Sequence, residues 1–262
     1  PHPLMKKLDV KFTLRLRERD VWIQAYQFDY VGHGGHIIPI YFLDTDVEEN
    51  FEDDRLITLR LYSGDKDHRI LQEAILGFGG TKLLDELGQK EIKTYHMNEG
   101  HCSFLVLNLL DKFKGDSGKV KSLCHFTTHT PVAAGHDHFS ESRVKKLLHG
   151  LIPENLDLPS LVQNGRLHMT ELGLYFSRSA NGVSKLHGDV AQNQFPWTDI
   201  GYITNGVHHS YWMGSPFKRV FDTYLPDWRS NPNVLMNVDD IPNEIIWNAH
   251  MERKRFLLGY AN

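Results

Sequence analysis

Cysteine is almost absent: Cys102 and Cys124 are the only two in 262 residues. That excludes a disulfide-stapled scaffold. Both lie inside apolar stretches, and the expectation is two buried, reduced thiols in a cytoplasmic protein. Long apolar runs are missing too. No window approaches 18 consecutive apolar residues, so no membrane span is expected. The opening residues, "PHPLMKKLDV", lack the apolar segment of a signal peptide. Excess positive charge is absent. The net charge is −4 without a basic stripe, which argues against nucleic acid as the main partner and leaves an uncharged ligand open. There is no internal repeat, no low-complexity tract, no His-Glu-x-x-His, no Cys-x-x-Cys and no Gly-x-Ser-x-Gly. A zinc site and a serine-hydrolase triad are therefore poor readings, and no metal is expected. "GFGG" at Gly77–Gly80 follows a helical pattern, not a strand, so it is weak evidence for a phosphate loop.

What is present suits a soluble domain. Apolar residues make up 40% and charged residues 24%, enough to build a sizeable core. Histidine is plentiful, with 16. The chain starts at Pro1 without Met and ends "FLLGYAN" inside a helical pattern, so it reads as a fragment cut at both ends.

Patterning changes along the chain. "VKFTLRL" (Val10–Leu16) alternates as a half-buried strand does, "VWIQAYQFDYV" reads as another, and "HIIPIYFLDTD" reads as a buried one. "DHRILQEAILGFGGTKLLDELG" has helical spacing, with Gly79-Gly80 expected to interrupt it and Gly88 to end it. "CSFLVLNLLDKFKG" reads as a buried helix, "SLCHFTTHT" as a strand, and "SRVKKLLHG" as a short helix. "LIPENLDLPSLVQNG" is a loop-rich connection. Thr170 can cap "ELGLYFSRS", and Pro242 can open a final amphipathic helix. Alternating strand and helix through the middle predict an α/β fold, a parallel sheet with helices on both faces.

Four predicted strand ends carry the same kind of polar burst: Asn98-Glu99-Gly100-His101, Thr127-Thr128-His129-Thr130, Asn181-Gly182 with His187, and Thr204-Asn205-Gly206 with His208-His209. Any one of them is ordinary turn or cap chemistry. Together they mark the rim of an open α/β sheet, where ligands bind. Neutral amides and imidazoles spread over several strand ends suit a polyhydroxylated ligand, whose hydroxyls need donors and acceptors at fixed angles. Tyr62, Trp197, Tyr211 and Trp212 could stack on sugar faces, with core packing as the equal alternative.

At this point the residues carry a resemblance. "HMNEGH", "FTTHTPVAAGHDHF", "NGVSKLHGDV" and "ITNGVHHSYW" resemble successive motifs of the α-glucan (glycogen, starch, maltodextrin) phosphorylases, in that family's order. "LYSGDKDHRILQEAILGFGG" and "YFLDTDVEEN" match the style of its shorter bacterial and archaeal members. The resemblance implies a GT-B glycosyltransferase architecture, with two Rossmann-like domains across a cleft. It implies transfer of a terminal glucose from an α-1,4-glucan to inorganic phosphate, giving glucose 1-phosphate with retention. It also implies pyridoxal phosphate, held by a lysine of the second domain. Residues 1–209 would be the later part of the first domain, and 210–262 a linker and the start of the second. Neither the family's Gly-rich loop nor its cofactor-lysine segment has a counterpart, and Lys185 is not that lysine. No pyridoxal phosphate is expected on this chain, and alone it should be inactive.

By the same resemblance, Asn98, Glu99 and His101 line the sugar-facing wall, with the Glu99 carboxylate orienting the His101 imidazole. Asp65 matches an acidic position in the gate loop. His129 is the catalytic expectation: its main-chain carbonyl faces the sugar ring, and its side chain reads the 6-hydroxyl together with Asn205. Two alternatives remain, a nucleotide-sugar glucosyltransferase of the same fold and a non-catalytic glucan-binding module. The apolar stripe of Ile245, Ile246, Ala249, Phe256 and Leu257 makes a homo-oligomer a further expectation.

Overall fold

The structure, a computed structural model, describes residues 4–32, 34–61, 63–152 and 162–261. Tyr62, His33 and most of the 151–165 connection lie outside the described residues. Contacts divide the chain into two compact units, Pro1–Thr204 and Asn205–Asn262. The division falls a few residues before the expected boundary at 209/210.

The first unit opens with an antiparallel meander, β1 (Lys6–Leu16), β2 (Arg19–Val31) and β3 (Ile37–Asp44). The alternation expected at Val10–Leu16 is there: Phe12, Leu14 and Leu16 are buried. β3 departs from expectation. It is an edge strand, and Ile37, Ile38, Ile40 and Phe42 are exposed. A continuous apolar run fixes strand propensity but not which side another layer will cover.

A short α1 (Glu52–Arg55) follows, then α2 (Lys66–Ala74), a π-helical turn at Ile75–Gly79, and α3 (Gly80–Glu86). The predicted interruption at Gly79-Gly80 is thus a π turn inside one helical run. Gly77 explains why glycine is needed nearby: a Cβ there would lie 2.6 Å from the backbone nitrogen of Leu105. Gly88, at φ +73°, ends the run as predicted.

The central layer is a four-stranded parallel sheet in the order β10-β9-β5-β4, with β4 (Tyr95–Asn98), β5 (Cys124–Thr128), β9 (Ser179–Gly182) and β10 (Ile200–Tyr202). The α/β expectation holds. Between β4 and β5 run α4 (Leu105–Lys112) and α5 (Ser117–Leu123), the latter not anticipated from the pattern. After β5 come β6 (His138–Ser140) and α6 (Glu141–Leu147), then β7 (Val162–Gln163) and β8 (Arg166–His168), with β6, β8 and β7 forming a small antiparallel sheet. α7 (Met169–Tyr175) leads to β9, and α8 (Lys185–Gln194) joins β9 to β10.

Thr170 does not cap α7. His168 holds that position, while Thr170 is buried inside the helix and its hydroxyl meets His136 Nδ1 at 2.9 Å. Met97 and Phe126 bury into the same core as Phe104, Leu107 and Leu172. Burial pushes the Cys102 thiol up to about 11 and the Cys124 thiol up to about 12, so both are free, protonated and unreactive at neutral pH.

The second unit is helical where described: α9 (His209–Trp212), α10 (Ser215–Tyr224), a 3₁₀ segment at Pro232–Asp240 and α11 (Asn243–Ala261). Its core is Phe221, Leu225, Trp228 and Ile241. Arg219 Nη2 reaches Glu252 at 2.8 Å and ties α10 to α11. No described helix is long and apolar enough to cross a membrane.

Candidate functional site

β4 and β5 run parallel with Asn98 opposite Thr127, so both strands stop at the same level. The turns that leave them lie side by side. The Glu99 amide donates to the Thr127 carbonyl at 2.8 Å, which continues the ladder by one bond. The chain then bends sharply, with Glu99 at φ +79°, a conformation that costs a side-chain-bearing residue free energy and persists only when its surroundings hold it.

The holding groups are the donors on its carboxylate. Oε1 accepts from the Gly100 amide at 3.0 Å. Oε2 accepts from the His129 amide at 2.6 Å and from the hydroxyls of Thr130 at 3.0 Å and Thr128 at 3.4 Å. Gly100 has to be glycine, because a Cβ would lie 2.9 Å from Thr170 Oγ1 and 3.0 Å from its amide nitrogen.

This corrects the expected partnership. Glu99 spends its hydrogen bonds on the turn after β5, and none to His101 is among those of the described residues. What it orients is His129, by fixing that residue's backbone. The His129 ring is fixed by a second bond, Nε2 to Asn98 Oδ1 at 2.6 Å. With an amide oxygen accepting, Nε2 carries the hydrogen.

Asn98, Glu99, His101 and His129 line one cavity of about 300 Å³, together with Arg69 and Asp137. Burial holds the His101 pKa below its ordinary value; the Glu99 charge opposes this and Arg69 reinforces it. His101 is therefore a neutral ring in the cavity wall at pH 7. Arg69 Nη2 meets Asp137 Oδ2 and Glu73 Oε1, each at 2.9 Å. The remaining predicted residues fall elsewhere. Asp65 is the N-cap of α2, accepting from the His68 amide at 3.0 Å, and is not part of this cavity's lining. Asn205 is the first residue of the second unit and is exposed.

Arg69, Asp137 and His136 were not read as site residues from the sequence. Arg69 and Asp137 are 68 positions apart, and no spacing rule joins them. The available signal was "HDH" at 136–138, which invites a metal reading. The structure uses His136 instead as a clamp between Thr170 Oγ1 and Gln194 Oε1, at 2.9 and 2.8 Å. Among the described residues no His, Cys, Asp and Glu group is placed to hold a metal ion. The cavity lining includes no lysine, so its residues do not fit an imine-linked pyridoxal phosphate.

An acceptor-rich cavity at the carboxyl ends of parallel strands suits hydroxyl recognition. Comparison with known proteins points the same way. No protein-family model matches the chain. It is 35% identical over 264 residues to a maltodextrin phosphorylase of Thermococcus litoralis, across 92% of this chain and 31% of that protein. It is 32% identical to a glycogen phosphorylase of Mycobacterium tuberculosis, across 80% of this chain and 27% of that protein. A glycogen phosphorylase of Aquifex aeolicus is 33% identical, across 98% of this chain and 41% of that protein. The chain thus spans about a third of the length of these relatives. Over the length it shares with them, the chain is similar to the maltodextrin and glycogen phosphorylases.

Proposed function

We propose that this chain supplies the sugar-facing wall of an α-1,4-glucan phosphorylase, which moves a terminal glucose to inorganic phosphate and releases glucose 1-phosphate. The observation that carries the reading is the network of Asn98, Glu99 and His129 across the ends of β4 and β5. It leaves His129 as a preoriented ring, placed beside a carboxylate whose oxygens already accept from the turn after β5. Such a ring accepts from a sugar hydroxyl without rearranging, which lowers the cost of binding. A backbone carbonyl at His129 would face positive charge developing at the sugar ring and would act mainly in the transition state.

Asn205 serves as the second reader of the 6-hydroxyl in this reading. An amide and an imidazole together can donate to and accept from one hydroxyl, and they penalise a sugar that lacks it. The architecture is GT-B, with the first unit as the later part of one Rossmann-like domain and the second as the entry to the other. Pyridoxal phosphate would be held by residues outside this cavity and would supply proton-transfer chemistry in the whole enzyme. The cavity beyond β4 and β5 would bind and orient sugar, and the protein would work in the cytoplasm on glucan, phosphate and glucose 1-phosphate.

Two assays test the reading. The chain should bind maltodextrin by calorimetry, and His129→Ala should weaken that binding by about tenfold, the usual cost of a lost hydrogen bond to a fixed group. Incubated with maltodextrin and phosphate, the 262-residue chain should release no glucose 1-phosphate. Equal affinity for both forms sinks the role of His129. Turnover by the chain alone sinks the division of labour.

A further inference from the structure

Behind the cavity wall lies a carboxyl group that the sugar reading does not use. Glu73, on α2, has a side chain only 1% exposed. Its Oε1 accepts from Arg69 Nη2 at 2.9 Å, but its Oε2 is fully buried and meets no donor. A bare anionic oxygen in that position would be uncompensated, and burial of such a group is strongly unfavourable. Arg69 Nη2 also meets Asp137 Oδ2 at 2.9 Å, so a second carboxylate, another acceptor, shares that donor with Glu73. Two acceptors face each other, and a proton on one of them turns a repulsion into a bond. Asp137 is 39% exposed and also receives Arg69, so water and guanidinium stabilise its charge. Glu73, the deeper group, is the one to hold the proton.

We propose that Glu73 is a protonated clasp: it donates from Oε2 to Asp137 while accepting from Arg69 at Oε1, and so pins the Gly135–Asp137 segment of the cavity wall to α2. Arg69, Asp137 and that proton then close a three-way joint between two elements far apart in sequence. Gly135, His136 and Asp137 form one side of the cavity, and Arg69 forms another. Other charged and titratable groups around Glu73 are consistent with a neutral carboxyl. Cys102 lies beside it with its thiol protonated. His101 is held neutral by burial. Arg60 stands across a small second cavity that Glu73 also lines. The α6 cations that meet α2, Arg143 and Lys146, face Asp67 at the other end of the helix. Burial first, and the Asp137 charge second, push Glu73 up to about 9. The clasp is therefore closed at neutral pH and opens in mild alkali. It depends on the geometry of the first unit alone and not on which ligand the cavity takes.

The test is a carboxyl carbon NMR titration of the whole chain, labelled at glutamate. One glutamate resonance should titrate above pH 7, vanish in Glu73→Gln and move down by about one pH unit or more in Asp137→Asn, because the like charge that favours the proton is gone. Should Glu73→Gln not fold, the Asp137→Asn shift assigns the resonance by itself. The loop gives a second readout. Amide exchange at residues 135–137, corrected for intrinsic rates, should quicken about tenfold above the titration midpoint in the natural chain and not in Glu73→Gln, whose amide reproduces both bonds at every pH. Glutamates that all titrate below pH 6 would overturn the proposal. So would an alkaline resonance that survives Glu73→Gln, or exchange that quickens equally in both proteins.

Discussion

The turn after β4 and the turn after β10 are written in the same style. One is Asn98-Glu99-Gly100-His101; the other is Asn205-Gly206-Val207-His208. In the first, Asn98, Glu99 and Gly100 are each committed to a neighbouring element. Asn98 holds the His129 ring, Glu99 holds two backbone amides, and Gly100 lets α7 approach. In the second, Asn205 and Gly206 are exposed, and a Cβ on Gly206 would meet nothing. The one polar commitment described there is local, the His208 ring accepting from the Tyr211 amide at 3.0 Å to cap α9. The difference comes from neighbours. β4 has β5 beside it in parallel register, so donors from another strand end arrive at Glu99. The segment after Tyr202 has left its sheet by the time it reaches Asn205.

The largest expected effect follows from that difference. Glu99→Gln should lower the stability of the chain by about 2–3 kcal/mol, since the new amide must face donors on one side and leave them unpaired. Asn205→Ala should change it by less than about 0.5 kcal/mol. Urea unfolding followed by fluorescence measures both, and equal values would erase the distinction between the two turns.

Acid should come next. Burial lowers the pKa of His101, and likewise of His96 and His168, from the ordinary value of 6.5. The unfolded chain therefore takes up protons first as pH falls below about 6.5, and the stability these rings contribute is lost from there down to their folded values. Glu73, raised from 4.5 to about 9, acts the other way, losing its contribution as pH rises through that window. Three rings against one carboxyl place the maximum near pH 6.5, about where the unfolded imidazole titrates. A melting temperature that climbs steadily from about pH 6.5 down to about pH 5 would contradict the sign for the three rings. Glu73→Gln should flatten the alkaline side and steepen the acid side, because the window of Glu73 spans both.

Asn98→Ala should have a smaller effect, about 1 kcal/mol for one exposed hydrogen bond. Its sharper signature is the His129 ring: nitrogen NMR should show the Nε2–H tautomer losing its dominance. An unchanged tautomer would mean that Asn98 does not set it. The smallest effect belongs to the second unit. Phe256, 67% exposed on α11, should tolerate Ser within about 0.5 kcal/mol while concentration-dependent association in sedimentation falls. Association that persists unchanged would remove the α11 stripe as an oligomer contact.

Much of the fold was legible because period and punctuation are local. The alternation of β1, the helical spacing through α2 and α3, and Gly88 at the end of that run are written within short windows of residues. β3 and Thr170 depart from their patterns for one reason. An apolar run or a Thr before a helical pattern states what a segment can do, and the neighbours decide what it does. β3 ended at a sheet edge, and Thr170 was drawn inward by His136.

The sequence by itself determined the α/β alternation, the polar bursts at strand ends, the reduced state of the two cysteines and, through linked motifs, the similarity to the phosphorylases. Tertiary structure alone decided which polar groups meet. Glu99 went to the His129 turn and not to His101, and Arg69, Glu73 and Asp137 came together across 68 positions of chain. Hydrophobic period survives in sequence because it repeats along one element. A hydrogen bond between two strand ends depends on register and approach, and no single stretch of residues encodes either.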